Sequence, residues 1–88
     1  MKLRGEFVLR QVMNELVVVP VGSTAREFNG MILLNDVSRV LWEALTEGAT
    51  LEALTQAVTD QFAVSQEEAR ADILEFLEQL RRTGLLEE

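Results

Sequence analysis

The side chains available for chemistry in this 88-residue chain are 15 carboxylates, hydroxyls and 8 basic groups, of which Lys2 is the one lysine. Histidine, cysteine and tyrosine are absent. Without cysteine there is no disulfide framework, no thiolate nucleophile and no zinc–thiolate centre. Without histidine the commonest general base and the commonest metal ligand are gone. The remaining candidates do not converge. Glu67/Glu68 and Glu87/Glu88 are adjacent pairs, and neighbours on a helix point ~100° apart, so neither pair can grip one ion. Ser38 stands in Asp36-Val37-Ser38-Arg39, whereas the phosphopantetheine serine of an acyl carrier sits in Asp-Ser-Leu. It reads instead as a residue of a helix's first turn. The expectation is a chain that is not an enzyme and holds no cofactor and no metal.

The pattern on the last helix points to binding rather than catalysis. At ~100° per residue, Ala69, Ile73, Phe76, Leu77 and Leu80 form one apolar stripe. Leu74 falls to one side of it, with Arg70 and Arg81. That flank, Arg70–Leu74–Leu77–Arg81, reads either as a groove lip for an apolar and an acidic side chain or as loose packing beside surface arginines.

The elements that must position such a flank fall into two layers. Phe7–Val12 and Leu16–Val19 are β-rich runs, joined through Met13-Asn14-Glu15, where asparagine tolerates the positive φ of a tight turn. Pro20 and Gly22 stop the second run, and Ser23–Asn29 reads as a polar loop. Gly30-Met31-Ile32-Leu33-Leu34 reads as a third strand, with Ile32 and Leu34 inward and Met31 and Leu33 outward. Three helices follow. Asn35 or Asp36 starts the first, with Val37, Val40, Leu41, Ala44 and Leu45 in a stripe, and Gly48 ends it. Thr50 caps the second, whose apolar face is Leu51, Leu54, Val58 and Phe62. Ser65-Gln66-Glu67-Glu68 is a capping box for the third, and Gly84 ends it in a Schellman motif that brings Leu85 to Leu80. One α+β domain over residues 1–88 is expected, winged helix-turn-helix-like: a three-stranded antiparallel sheet over about 6–34, then a three-helix bundle over about 36–83. Trp42, Phe7, Phe62 and Phe76 supply its large core groups. The third strand is short, uncharged and free of proline, so it is an open edge for an added strand, from a peptide or from a second copy in a homodimer.

Charge separates the layers and the partners. Residues 1–35 carry four basic and three acidic groups, 4 − 3 = +1; residues 36–88 carry four and twelve, 4 − 12 = −8. The last helix would be the reading helix of a winged helix, yet Ser65–Thr83 holds three arginines against five carboxylates. Nucleic-acid affinity depends on neutralising phosphates, so this charge argues against nucleic acid as a partner and ranks a winged-helix DNA-binding protein below a peptide-binding module or a homodimeric scaffold. The longest apolar run, Leu16–Val21, is about a third of a membrane span, and Lys2 and Arg4 precede no signal core. No membrane association and a cytoplasmic location are expected.

Phe28-Asn29-Gly30-Met31-Ile32-Leu33-Leu34-Asn35, a helix bearing Trp42-Glu43, and Glu47-Gly48-Ala49-Thr50 together resemble the PqqD-like family, named for pyrroloquinoline quinone biosynthesis protein D. So do Ala69-Arg70-Ala71-Asp72-Ile73, Phe76-Leu77, Leu80 and Gly84-Leu85-Leu86. The resemblance runs from Gly5 to Leu86 and lies in the order and spacing of motifs that are mostly structural. Met13-Asn14-Glu15 and Val37-Ser38 depart from the typical residues. The resemblance implies a peptide-recognition element that binds the leader of a ribosomally synthesised precursor and presents it to a modifying enzyme, often a radical S-adenosylmethionine protein. It further implies that the leader adds beside the third strand, against the last helix. Carried onto this chain, the site is Gly30, Met31, Ile32, Leu33 and Leu34 with Arg70, Leu74, Leu77 and Arg81.

Overall fold

The first two β-rich runs form a hairpin with a two-residue turn. In the computed structural model, which describes residues 1–28 and 30–88, β2 (Phe7–Val12) pairs antiparallel with β3 (Glu15–Pro20), closing at Val12–Glu15 around Met13-Asn14. The positive φ expected of asparagine falls on Met13 instead, at 57°. A turn with φ > 0 at its first central position favours glycine there, so Met13 carries local backbone strain. β4 (Ile32–Leu34) pairs with the other edge of β3, which makes β3 central and β4 an edge in the order β2-β3-β4.

Two short elements flank this sheet without a sequence signal. β1 (Lys2–Leu3) pairs antiparallel with β5 (Leu86–Glu87), bringing the two ends of the chain together. Inside the expected loop, Thr24–Glu27 forms the one-turn helix α1. Its anchor is tertiary: the Thr24 hydroxyl is buried and accepts the Glu6 N–H at 2.8 Å. Phe28 then meets Phe7 edge-on at 6.4 Å. Asn29, the last residue of that expected loop, lies outside the described residues.

The helices start and stop where the caps place them. α2 (Asp36–Glu47) begins in a capping box: the Asn35 side chain accepts the Ser38 N–H, and Ser38 Oγ accepts the Asn35 N–H, both at 2.8 Å. Ser38 is thus the first-turn residue expected. α3 (Leu51–Gln61) is capped by Thr50, and α4 (Gln66–Arg82) by Ser65 with Glu68. Gly84, at φ 77°, closes α4 with both Schellman bonds, Leu85 N–H to Leu80 C=O at 2.9 Å and Gly84 N–H to Arg81 C=O at 3.1 Å.

The core lies between the sheet and the three long helices. It is built from Val18 and Leu34 of the sheet, Leu41, Trp42 and Leu45 of α2, Leu54 and Val58 of α3, and Ala69, Ile73, Leu77 and Leu80 of α4. Burying each of these Val, Leu or Ile side chains contributes about 1.5–3 kcal/mol. Trp42 is buried, with Phe7 edge-on at 5.3 Å. The other expected core aromatics, Phe7, Phe62 and Phe76, are half-buried at the rim, because the branched aliphatics on the stripe centres already fill the interior. The result is the α+β arrangement expected: a three-stranded antiparallel sheet followed by helices.

Candidate functional site

The register of the sheet determines what its open edge offers. In a hairpin closed by a hydrogen-bonded pair, bonded and non-bonded pairs alternate along the strands. The Val21 N–H bonds the Glu6 C=O at 3.0 Å, where that alternation from Val12–Glu15 puts a bonded pair. Val17 lies opposite Arg10, a bonded position, so its backbone is taken by β2. Its partner on the other side is Leu33, which consequently turns N–H and C=O away from β3 and toward solvent. Ile32 and Leu34, opposite Val18 and Leu16, bond to β3 instead. The side chains alternate as the sequence predicts: Leu34 is buried and Ile32 half-buried, while Met31 and Leu33 are 69% and 63% exposed. Gly30 has φ 146°, a backbone that side-chain-bearing residues rarely adopt, with open space around its α-carbon. At the other end the Asn35 N–H is already taken by Ser38, so the free rail ends there.

Beside this rail lies a groove of about 360 Å³ between β4, α2 and α4. Ile32, Val37, Leu41 and Phe76 give it apolar walls. Asp72, Glu75 and Gln79 of α4 form one polar side, and Asn35 and Ser38 stand at the start of α2. The groove has the materials for an extended segment: an unpaired backbone edge, a place for an apolar side chain, and carboxylates with an amide above it.

The helix residues expected at this site are placed elsewhere. At ~100° per residue, Asp72, Glu75, Phe76 and Gln79 lie on one side of the α4 stripe, and Arg70, Leu74 and Arg81 on the other. The side facing β4 is the first. Arg70 borders a separate hollow against α3, with Glu52, Thr55 and Gln56. Leu74 is 47% exposed, whereas Leu77 is 3% exposed and belongs to the core. Arg81 donates to Glu88 at 2.6 Å and to Glu78 at 3.2 Å, which ties the end of α4 to the tail. Its hydrogen bond, then its charge, hold the exposed Glu88 carboxyl below the usual carboxylate range, and Glu88 raises Arg81 in return. The structure therefore gathers Met31–Leu34 at one edge but does not bring the arginine flank to it. The apolar stripe determines which residues of α4 point inward; which flank meets the sheet depends on how α4 packs across the rest of the fold, and no local signal carries that.

Residues 15–86 match the family described as coenzyme PQQ synthesis protein D (PqqD). The chain belongs to the PqqD family. The match spans β3 to the first residue of β5 and so includes the open edge and the whole of α4. No curated protein matches this PqqD-family chain. Two solved structures are similar to it. One is "TbiB1 in Complex with the TbiA(beta) Leader Peptide", at 24% identity and a TM-score of 0.75, covering 99% of this chain and 95% of that one. The other is "Lasso peptide synthetase B1 complexed with the leader peptide", at 23% identity and a TM-score of 0.71, covering 96% and 93%. The likeness is one of fold along nearly the full length of each chain. Among the described residues of this PqqD-family domain, no group of acidic side chains could hold a metal ion. No helix among the described residues is long and apolar enough to cross a membrane.

Proposed function

We propose that this PqqD-family chain is a non-catalytic binding module. It captures the leader of a ribosomally synthesised precursor peptide in the cytoplasm and presents it to a modifying enzyme of the radical S-adenosylmethionine type. The leader adds as a strand along Met31–Leu34, and its inward side chains enter the groove against Phe76. The observation that carries this reading is the outward N–H and C=O of Leu33 beside an apolar groove. Two similar folds whose structures contain leader peptides support it.

The energetics suit a recognition event. Each backbone hydrogen bond made at Leu33 contributes about 0.5–1.5 kcal/mol net. An apolar side chain seated in the groove contributes about 1.5–3 kcal/mol. Binding near micromolar, about −8 kcal/mol, is within reach of a segment using several such contacts after the cost of association. Calorimetry with the leader of a precursor encoded beside the gene should give a Kd of about 1 μM or tighter. Leu33→Pro should remove that binding while keeping the melting transition, because the lost N–H faces solvent rather than β3. No heat with that peptide, or a Leu33→Pro variant that binds as well as the parent, overturns the proposal. The same exposed edge fits a second copy of the chain, and light scattering separates the two uses: an edge-paired dimer would release monomer as the leader is added.

A further inference from the structure

Resting on the reading of β4 and α4 as a peptide groove, the geometry points to the class of segment it selects: one that carries an apolar and a basic side chain two residues apart. Asp72 and Glu75 are the charged groups on the groove's lining, and no lysine or arginine lines it. Neither carboxylate takes part in a salt bridge among the described residues, where the ion pairs are Arg39–Glu43 and those of Arg81 with Glu78 and Glu88. Open edge and cavity make the groove; the two carboxylates decide what may occupy it.

Spacing makes the pattern specific. Asp72 and Glu75 are i and i+3 on α4, neighbours on the helix surface with Cβ atoms about 5–6 Å apart. One ammonium or guanidinium can therefore sit between both. Phe76 is the next residue along and turns toward the apolar floor of Ile32, Val37 and Leu41. In an added strand, side chains two residues apart project to the same face, roughly 7 Å from each other. One such side chain reaches the floor while the next on that face reaches the carboxylates. The intervening residue points to the opposite face, beside exposed Leu33. An acidic side chain at the basic position meets two carboxylates within a chain of net charge −7 and is disfavoured.

The test is a displayed library of random dodecapeptides selected on the full chain. Enriched peptides should carry lysine or arginine two positions from an apolar residue. Selection on an Asp72→Asn/Glu75→Gln variant should keep the apolar preference and lose the basic one. For one enriched peptide made synthetically, replacing its basic residue by glutamine should weaken binding about three- to tenfold, the size of two partly exposed ion pairs. That loss should shrink in high salt. Apolar enrichment without a basic preference, or an unchanged basic preference in the double variant, overturns this inference and leaves the groove standing. Failure to enrich any peptide, or enrichment of the same peptides by Leu33→Pro, overturns the groove as well.

Discussion

Along α4 one flank, Asp72–Glu75–Phe76–Gln79, looks onto the open edge of β4, and the other, Arg70–Leu74–Arg81, looks onto α3, solvent and the chain's tail. Both border the same buried stripe, and both combine an apolar residue with charge. The difference lies in what faces them. Arg81 has its carboxylates within the chain, at Glu78 and Glu88. Asp72 and Glu75 have no ion-pair partner among the described residues and stand beside the open outer edge of β4. A charged flank that is already satisfied stabilises the fold locally, whereas one left open next to an unpaired edge is suited to an incoming chain.

Substitutions on and between the two flanks test this contrast. The largest effect belongs to the stripe between the flanks: Leu77→Ala should cost about 2–5 kcal/mol in denaturant unfolding, because Leu77 is buried, while exposed Leu74→Ala should cost under about 1 kcal/mol. Similar costs for the two would mean that the flank and core assignments are misplaced. Next, Phe76→Ser should weaken leader-peptide binding about tenfold or more by removing an apolar wall of the groove. An Arg70→Ala/Arg81→Ala double variant should bind within about twofold of the parent, the scale of an exposed contact. A smaller effect separates the flanks by pH. Glu88 has its carboxyl lowered in the folded chain, so its contribution to stability is present at neutral pH and is lost as pH falls through the lowered value. Arg81, raised above its ordinary range, keeps its charge throughout and adds no loss there. Melting curves taken from neutral pH into the acid range should show a small decrement that Glu88→Gln lacks. The smallest effect lies outside both flanks. Met13→Gly relieves a positive φ at a 92% exposed side chain and should raise stability by a few tenths of a kcal/mol, readable as a slightly higher Tm.

What could be read from the sequence follows the range of the interaction. The Ser65 capping box, a start of α2 at Asn35 or Asp36, the Gly84 ending and the Ile32/Leu34 alternation are all legible, because each is settled within a few residues of chain; the reciprocal Asn35–Ser38 box is seen only in the structure. The β1–β5 ribbon is not legible: two-residue strands have no periodicity, and their pairing joins Lys2 to Glu87. Helix α1 was hidden for the same reason, since the partner of Thr24 is the backbone of Glu6. The site divided along the same line. Its strand is visible as an uncharged edge before a cap; on α4 the arginine side carries the most conspicuous side-chain chemistry, whereas the side that lines the groove with β4 is the other one. In the sequence Phe76 reads only as core, and Asp72, Glu75 and Gln79 have no local mark distinguishing them from a solvated face.

The central claim is that a leader peptide pairs with β4 and lies against the Phe76 flank of α4. Amide and side-chain NMR during titration with the leader tests it most directly. Bound leader should slow hydrogen exchange at the Leu33 amide and shift the Phe76 ring signals, leaving those of Arg70, Leu74 and Arg81 unmoved. Shifts concentrated on the arginine flank, with the Leu33 amide still exchanging freely, would contradict it.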